Sequence, residues 1–269
     1  MIRFDVNCSI LFTELPLLER PAAARAAGFD AIELWWPFAD AVPAQAEIDA
    51  LVRAIEEAGV TLVGLNFAAG DMPGGDRGLF SWPRRATELR DNIDVALGIG
   101  ERLGCRAFNA LYGNRIDDVR PEAQDELAVE NLALAAERAD RFGGVILVEP
   151  VSGAPRYPLR TAADALAVVD AAGRDNVAIL ADLYHLAVNG DDVEAVIDTH
   201  TDRIGHVQVA DAPGRHQPGT GTLPLAAQLA ALQAAGYVGN VGLEYIPDGP
   251  SERSFGWLTE EFTTKEKLA

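Results

Sequence analysis

Three carboxylates and an amide stand at or just beyond the ends of four consecutive apolar runs in the second half of this 269-residue chain. Run VILVEP, from Val145, ends in Glu149. VAILADLYH, from Val177, carries Asp182. IGHVQVAD, from Ile204, carries Gln208 with Asp211 after it, and NVGLEY, from Asn240, carries Glu244. The alternation of a strand puts Val145, Leu147 and Glu149 on one face, as it does His206 with Gln208 and Gly242 with Glu244. Three carboxylates meeting at one point repel and stay ionised together only around a cation. An all-oxygen donor set of Glu149, Asp182, Gln208 and Glu244 suits Mg²⁺ or Mn²⁺ better than a structural zinc. Taken singly, each acid is more commonly a helix N-cap or a loop hydrogen-bonder. Their coincidence on four successive strands favours the metal. The four histidines, His185, His200, His206 and His216, are too scattered for a multi-zinc hydrolase.

Such a convergence needs elements that bring four strand ends together. Four more runs precede these: FDVNCSI from Phe4, AIELWW from Ala31, TLVGLNF from Thr61 and AFNALYG from Ala107. Between the eight lie segments with helical periodicity, including LLERPAAARAAG, EIDALVRAIEEAG, ATELRDNIDVALGIGERLG and AAQLAALQAAG. Gly28, Gly59, Gly104 and Gly236 stand where helix C-caps want glycine. Eight strands alternating with helices predict an α/β fold, a single (β/α)₈ TIM barrel over residues 1–258, whose active site lies at the C-terminal strand ends. A doubly wound open sheet is the structural alternative, but no GxGxxG follows the first run. Residues 259–269 read as a polar tail, a disordered end or an expression remnant.

The formal charge of −19 opposes binding to a phosphate backbone, so nucleic acid is not an expected partner. The only lysines are Lys265 and Lys267, both in the tail. Schiff-base, pyridoxal phosphate and Walker-type chemistries need a lysine at the reacting centre and are excluded. Cys8 and Cys105 have neither disulfide-framework nor thiolate-metal spacing. No run is long enough for a signal peptide or a membrane span, and a cytoplasmic location without membrane association is expected.

Other polar residues carry two readings each. His185 caps the loop after Asp182 or serves the site. His206, flanked by valines, fits a satisfied core histidine. Arg215 is a solvated loop arginine or a substrate clamp, and its place just beyond the seventh run favours the clamp. Trp35, Trp36, Pro37 and Phe38 offer a pocket wall, core filling or the interface of a homo-oligomer.

Taken together, NCSILF at 7–12, NFAAGD at 66–71 with GDRGL at 75–79, LVEP at 147–150, DLYH at 182–185, HVQVADAPGRHQPGTG at 206–221, and GLEY at 242–245 with FGW at 255–257 resemble the hydroxypyruvate isomerase family of the xylose-isomerase-like barrels. The resemblance runs in order from the first strand to about Trp257. It implies a divalent metal on the same four residues, with Glu149 and Glu244 as the acid/base pair. The activity it implies is the isomerisation of a small anionic 2-oxo-3-hydroxy acid, hydroxypyruvate to tartronate semialdehyde, through an enediol. Alternatives are a 2-oxo-tetronate isomerase, a ketose 3-epimerase, or a barrel that binds metal and sugar acid without turnover. Related sugar epimerases usually carry histidine where Gln208 stands, which favours the isomerase branch. With no lysine near, Arg215 is the first choice for the substrate carboxylate, and His185 for a substrate hydroxyl or a ligand carboxylate. Asn7 and Asn66 are pocket candidates. The chain departs from the family at Thr222 and Leu223, where relatives continue GTG with an acidic residue and an aromatic shortly after, so the resemblance does not fix substrate preference at that loop.

Overall fold

A computed structural model describes residues 2–258. The expected tail, 259–269, lies outside the described residues. Eight parallel strands close into one barrel in sequence order. They are β1 (Arg3–Asn7), β2 (Ala31–Leu34), β3 (Thr61–Asn66), β4 (Ala107–Asn109), β5 (Val145–Val148), β6 (Val177–Asp182), β7 (Ile204–Val209) and β8 (Asn240–Leu243). β1 pairs with β8 through Arg3 to Val6 against Asn240 to Leu243, and this pairing closes the ring.

The connecting helices are α1 (Arg20–Ala26), α2 (Gln45–Ala58), α3 (Ala86–Leu103), α4 (Pro121–Asp140), α5 (Ala162–Ala172), α6 (Leu183–Asn189), α7 (Val193–His200) and α8 (Leu225–Ala234). The regular one-helix-per-strand alternation breaks twice. The β6–β7 crossover holds both α6 and α7, and β8 is followed within the described residues only by a 3₁₀ turn, Ser251–Phe255. In α2, Ile48, Leu51, Val52 and Ile55 are buried, the i, i+3, i+4, i+7 stripe that seats a helix on a sheet. Each such side chain contributes roughly 1.5–3 kcal/mol on burial. The helix then stops at Gly59, whose φ of 67° is left-handed. Between the barrel and α3, Phe67 stacks on Phe108 with ring centroids 5.9 Å apart.

None of the described helices is long and apolar enough to cross a membrane.

Candidate active site

The four anticipated ligands do converge at the C-terminal mouth. Asp182 ends β6 and Gln208 lies in β7, directly in register with it. Glu149 and Glu244 follow β5 and β8 by one residue. All four are buried. They line or underlie a cleft of about 830 Å³ walled by Trp35, Trp36, Asn66, Arg77, His185 and Arg215, among others.

Each ligand is fixed by neighbours. Asn109, at the end of β4, donates to Glu149 Oε2 at 2.6 Å, and the Tyr157 hydroxyl donates to the Glu149 carbonyl at 3.0 Å. Asp182 doubles as the N-cap of α6, accepting from the main-chain N–H of Tyr184 at 2.9 Å and of His185 at 3.3 Å. Those bonds use Oδ1 and leave Oδ2 toward Arg215, 3.4 Å away. The Gln208 amide nitrogen donates to Glu244 Oε2 at 2.5 Å and to Glu33 Oε1 at 2.8 Å. Asn7 donates to the same two carboxylates, at 2.8 Å to Glu244 and 3.1 Å to Glu33.

Burial, with Glu244 and Asp182 nearby, pushes the Glu149 carboxyl well above the usual range, against the Asn109 hydrogen bond and the Arg215 charge. Burial raises Glu244 to about 8, opposed by Arg215 and aided by Glu33 and Asp182. Both glutamates are thus short of compensating positive charge. The Arg215 guanidinium supplies part of it, bonded to Glu244 and facing Asp182, with Tyr184 beneath the guanidinium at 5.6 Å.

Several polar atoms of this network are buried without a hydrogen-bond partner, Asn109 Oδ1 and Arg215 Nε among them, and one bears on the metal. Gln208 Oε1 is buried and has no hydrogen-bond partner, a condition that costs about 1–3 kcal/mol unless something occupies it. It is the oxygen that the sequence assigns to a metal. Three carboxylates short of positive charge beside an orphaned amide oxygen form a donor set that fits a hard divalent cation.

His185 stands with Glu149 and Asp182, the three offering ligand atoms within 4.8 Å of one another. Its Nδ1 accepts the Ser152 main-chain N–H at 3.1 Å, so the neutral ring carries its proton on Nε2, which points toward Asp182 and Glu149 at 3.6 and 3.9 Å. Burial lowers the ring to about 4; Asp182 opposes this, and Arg215 and Arg77 add to it. His185 is therefore a neutral donor over the carboxylates.

Two groups that the sequence reading passed over lie below the ligands. Glu33, in β2, accepts from Asn7 and Gln208 on Oε1, and its Oε2 meets His206 Nε2 at 2.7 Å. The side chain fits because Gly64 and Gly242 face it: a Cβ at Gly242 would stand 2.6 Å from Glu33 Oε1. His206, the expected satisfied core histidine, is indeed buried and paired. Burial disfavours its charge, but the Glu33 hydrogen bond prevails and raises it to about 9. Asp5, in β1, is fully enclosed and its carboxyl is pushed well above the ordinary range, by burial first and then by Glu33. The available signal was positional: Asp5 and Asn7 alternate on one face of β1, and Glu33 interrupts a short apolar run opposite two glycines.

Of the pocket candidates, Asn66, His185 and Arg215 line the cleft, whereas Asn7 is not among its lining residues and bridges Glu33 to Glu244. Trp35 and Trp36 form a wall of the cleft. Thr222 and Leu223 do not line the cleft. Thr222 is exposed and ties its main-chain N–H to the Ala212 carbonyl at 2.8 Å, while the Leu223 N–H donates to Asp211 at 3.0 Å. Their contribution is to the loop's backbone.

Known proteins share this architecture. Residues 21–261 match the family model described as xylose isomerase-like TIM barrel. A Streptomyces coelicolor protein named "Putative hydroxypyruvate isomerase" is 59% identical over 95% of each chain. A 2-oxo-tetronate isomerase of Pectobacterium atrosepticum is 31% identical over 96% of this chain and 97% of its own. The crystal structure titled AP endonuclease, family 2, from Brucella melitensis superposes with a TM-score of 0.87 at 34% identity, covering 96% of this chain and 98% of that one. With the barrel closed, the acid cluster at its mouth and these full-length likenesses, the chain belongs to the hydroxypyruvate isomerase family within the xylose isomerase-like TIM barrels.

Proposed function

We propose that this protein is a metal-dependent isomerase of small 2-oxo-3-hydroxy acids, converting hydroxypyruvate to tartronate semialdehyde. The observation that carries the reading is the unpartnered Gln208 Oε1 among Glu149, Asp182 and Glu244. These four residues would hold a divalent cation, Mg²⁺ or Mn²⁺. Bound there, the cation supplies the positive charge that acidifies the carbon-bound proton and offsets charge developing on the substrate oxygens.

Glu149 and Glu244 form the acid/base pair. One takes a proton from C3 and leaves an enediol; the other returns a proton to C2, while the C3 hydroxyl proton passes to the C2 oxygen. Burial raises both carboxyls above the ordinary range, and a raised proton affinity makes a carboxylate a stronger base. His185 donates from Nε2 to a reacting oxygen. Arg215 faces the same centre and keeps Glu244 and Asp182 compensated. Trp35 and Trp36 wall the cleft against water.

The size of the cleft favours a second substrate of the same class. At about 830 Å³ it exceeds what a three-carbon acid needs, and a four-carbon 2-oxo acid such as 2-oxo-tetronate fits the same chemistry. The test is incubation of Mg²⁺- or Mn²⁺-loaded protein in D₂O with hydroxypyruvate, 2-oxo-tetronate and a neutral ketose. Deuterium should enter carbon in the acids faster than in the ketose. Absence of exchange in both acids refutes the isomerase, and faster exchange at C3 of tagatose or fructose makes it an epimerase.

A further inference from the structure

The charges around the cleft leave one arginine uncommitted. Arg85 is bound by Glu88 at 2.6 Å and faces Asp76 at 3.4 Å. Arg215 is bound by Glu244 and faces Asp182. Arg77, the third arginine lining the cleft, has no carboxylate partner among the described residues. Its Nη1 donates only to the main-chain carbonyls of Met72 and Asp76, at 3.0 and 2.6 Å.

Arg77 is also held firmly in place. Its carbonyl accepts the Gly113 N–H at 2.9 Å, and the next residue, Gly78, donates to the Ala69 carbonyl at 3.0 Å. Gly78 has a φ of +104°, and a Cβ there would lie 1.8 Å from the Leu111 carbonyl oxygen. The backbone on the C-terminal side of Arg77 is therefore pinned between the segments that follow β3 and β4, and the unused face of the guanidinium is preorganised for an anion.

A charge count at the reacting centre points the same way. Three ionised ligand carboxylates, a divalent cation and Arg215 sum to zero, so the centre itself has no net charge left to offer a substrate anion. We propose that Arg77 is the anion subsite of this cleft: it takes the carboxylate of the substrate and selects 2-oxo acids over neutral ketoses. Arg215 then serves the reacting oxygens and the ligand set. The assignment rests on the isomerase reading for its substrate class, and the experiment separates the two.

Arg77→Gln and Arg77→Lys are compared with wild type in the metal-loaded protein. Loss of a charge-assisted, bidentate contact is expected to raise KM for hydroxypyruvate about 10- to 100-fold with kcat changed less, and the lysine variant recovers part of it. KM for any neutral ketose that is turned over stays within about twofold, and so does the midpoint of metal binding. An unchanged KM for the acid in Arg77→Gln, or an equal rise for acid and ketose, overturns the subsite while leaving the isomerase standing. Should no acid be turned over, calorimetric binding of glycerate, which lacks the carbonyl needed for isomerisation, is the readout. Binding that Arg77→Gln abolishes keeps the subsite and refutes the isomerase; no glycerate binding by wild type, or equal binding by both, refutes the subsite.

Discussion

Glu244 divides one carboxylate among three donors, with Asn7 and Gln208 on Oε2 and Arg215 on Oε1, so its proton affinity and its aim are set by different strands. Changing it to glutamine keeps the shape, removes the exchangeable proton and turns half of the group into a donor facing donors. Glu149→Gln and Glu244→Gln are each expected to lower kcat about 10²- to 10⁴-fold, the usual worth of a positioned acid or base, whereas a non-catalytic binder would have no turnover to lose. Stopped assays of hydroxypyruvate with each variant check this. Gln208→Leu isolates the amide oxygen: the orphaned atom disappears together with the contacts to Glu33 and Glu244. The midpoint of Mn²⁺ binding is expected to rise about tenfold or more, measured by titration of the metal-free protein.

The convergence of Glu149, Asp182, Gln208 and Glu244 was readable in the amino-acid sequence because each sits at the end of an apolar run, where a barrel gathers its chemistry. Glu33 and Asp5 were not, because a carboxylate inside a short run looks like an ordinary interruption until the glycines of β3 and β8 are seen beside it. Arg77 was hidden differently. It lies in a loop between elements, and only its neighbours' pairings reveal that its charge is spare.

At the scale of elements, the loop joining β7 to α8 shows how a flexible-looking stretch becomes a fixed one. Asp211 is buried, and its carboxylate accepts from four main-chain N–H groups: Ala212 at 2.9 Å, Gly219 at 2.9 Å, Gly221 at 2.9 Å and Leu223 at 3.0 Å. Gly221 must be small, since a Cβ there would stand 2.2 Å from the Ala212 carbonyl oxygen. The span between these anchors carries Arg215, which takes a left-handed φ of 58° and gives its carbonyl to the Ile246 N–H at 2.7 Å. Asp211→Asn replaces acceptors by an amide NH₂ facing N–H donors. It is expected to cost about 2–3 kcal/mol, roughly 4–10 °C in Tm, and to lower kcat by loosening Arg215. Scanning calorimetry and steady-state kinetics read the two effects separately. The sequence showed this loop as a run of turn formers ending in GTG. It did not show that one aspartate holds the whole span, because the bonds run to backbone, which carries no residue signature. Thr222 and Leu223, where the chain departs from the family pattern, bond through their backbone within this loop and are not among the residues lining the cleft.

For the whole molecule, the buried titratable groups tie stability to pH in a direction that can be worked out. Glu244 rises from 4.5 to about 8 and His206 from 6.5 to about 9 on folding. Both therefore bind more protons folded than unfolded across those windows, and the stability they contribute is present at low pH and lost as pH rises through the folded values. His185, lowered from 6.5 to about 4, acts oppositely and costs stability as pH falls between those values. Glu149 and Asp5, also raised well above the ordinary carboxyl range, act in the same direction as Glu244, so the carboxyls together outweigh His185 and the net trend is a loss of stability as pH rises. The Tm of metal-free protein is expected to fall as pH rises from about 5 to about 9, less steeply below about 6.5, where His185 opposes the trend. Saturating Mn²⁺ should flatten the alkaline limb, because a cation prefers the ionised carboxylates. Thermal melts at stepped pH with and without Mn²⁺ check this, and a limb that steepens with Mn²⁺ contradicts the assignment of ligands.

Glu33 holds the nitrogen end of the Gln208 amide so that the oxygen end is left for the mouth of the barrel. An imidazole at the same position would meet the same carboxylate with its ring N–H and turn its other nitrogen outward. The barrel thus carries a ready-made socket in which an amide and a ring are interchangeable by a single codon change. With the proposed cation bound at this position, that exchange would trade a hard oxygen donor for a nitrogen without rebuilding the strands around it.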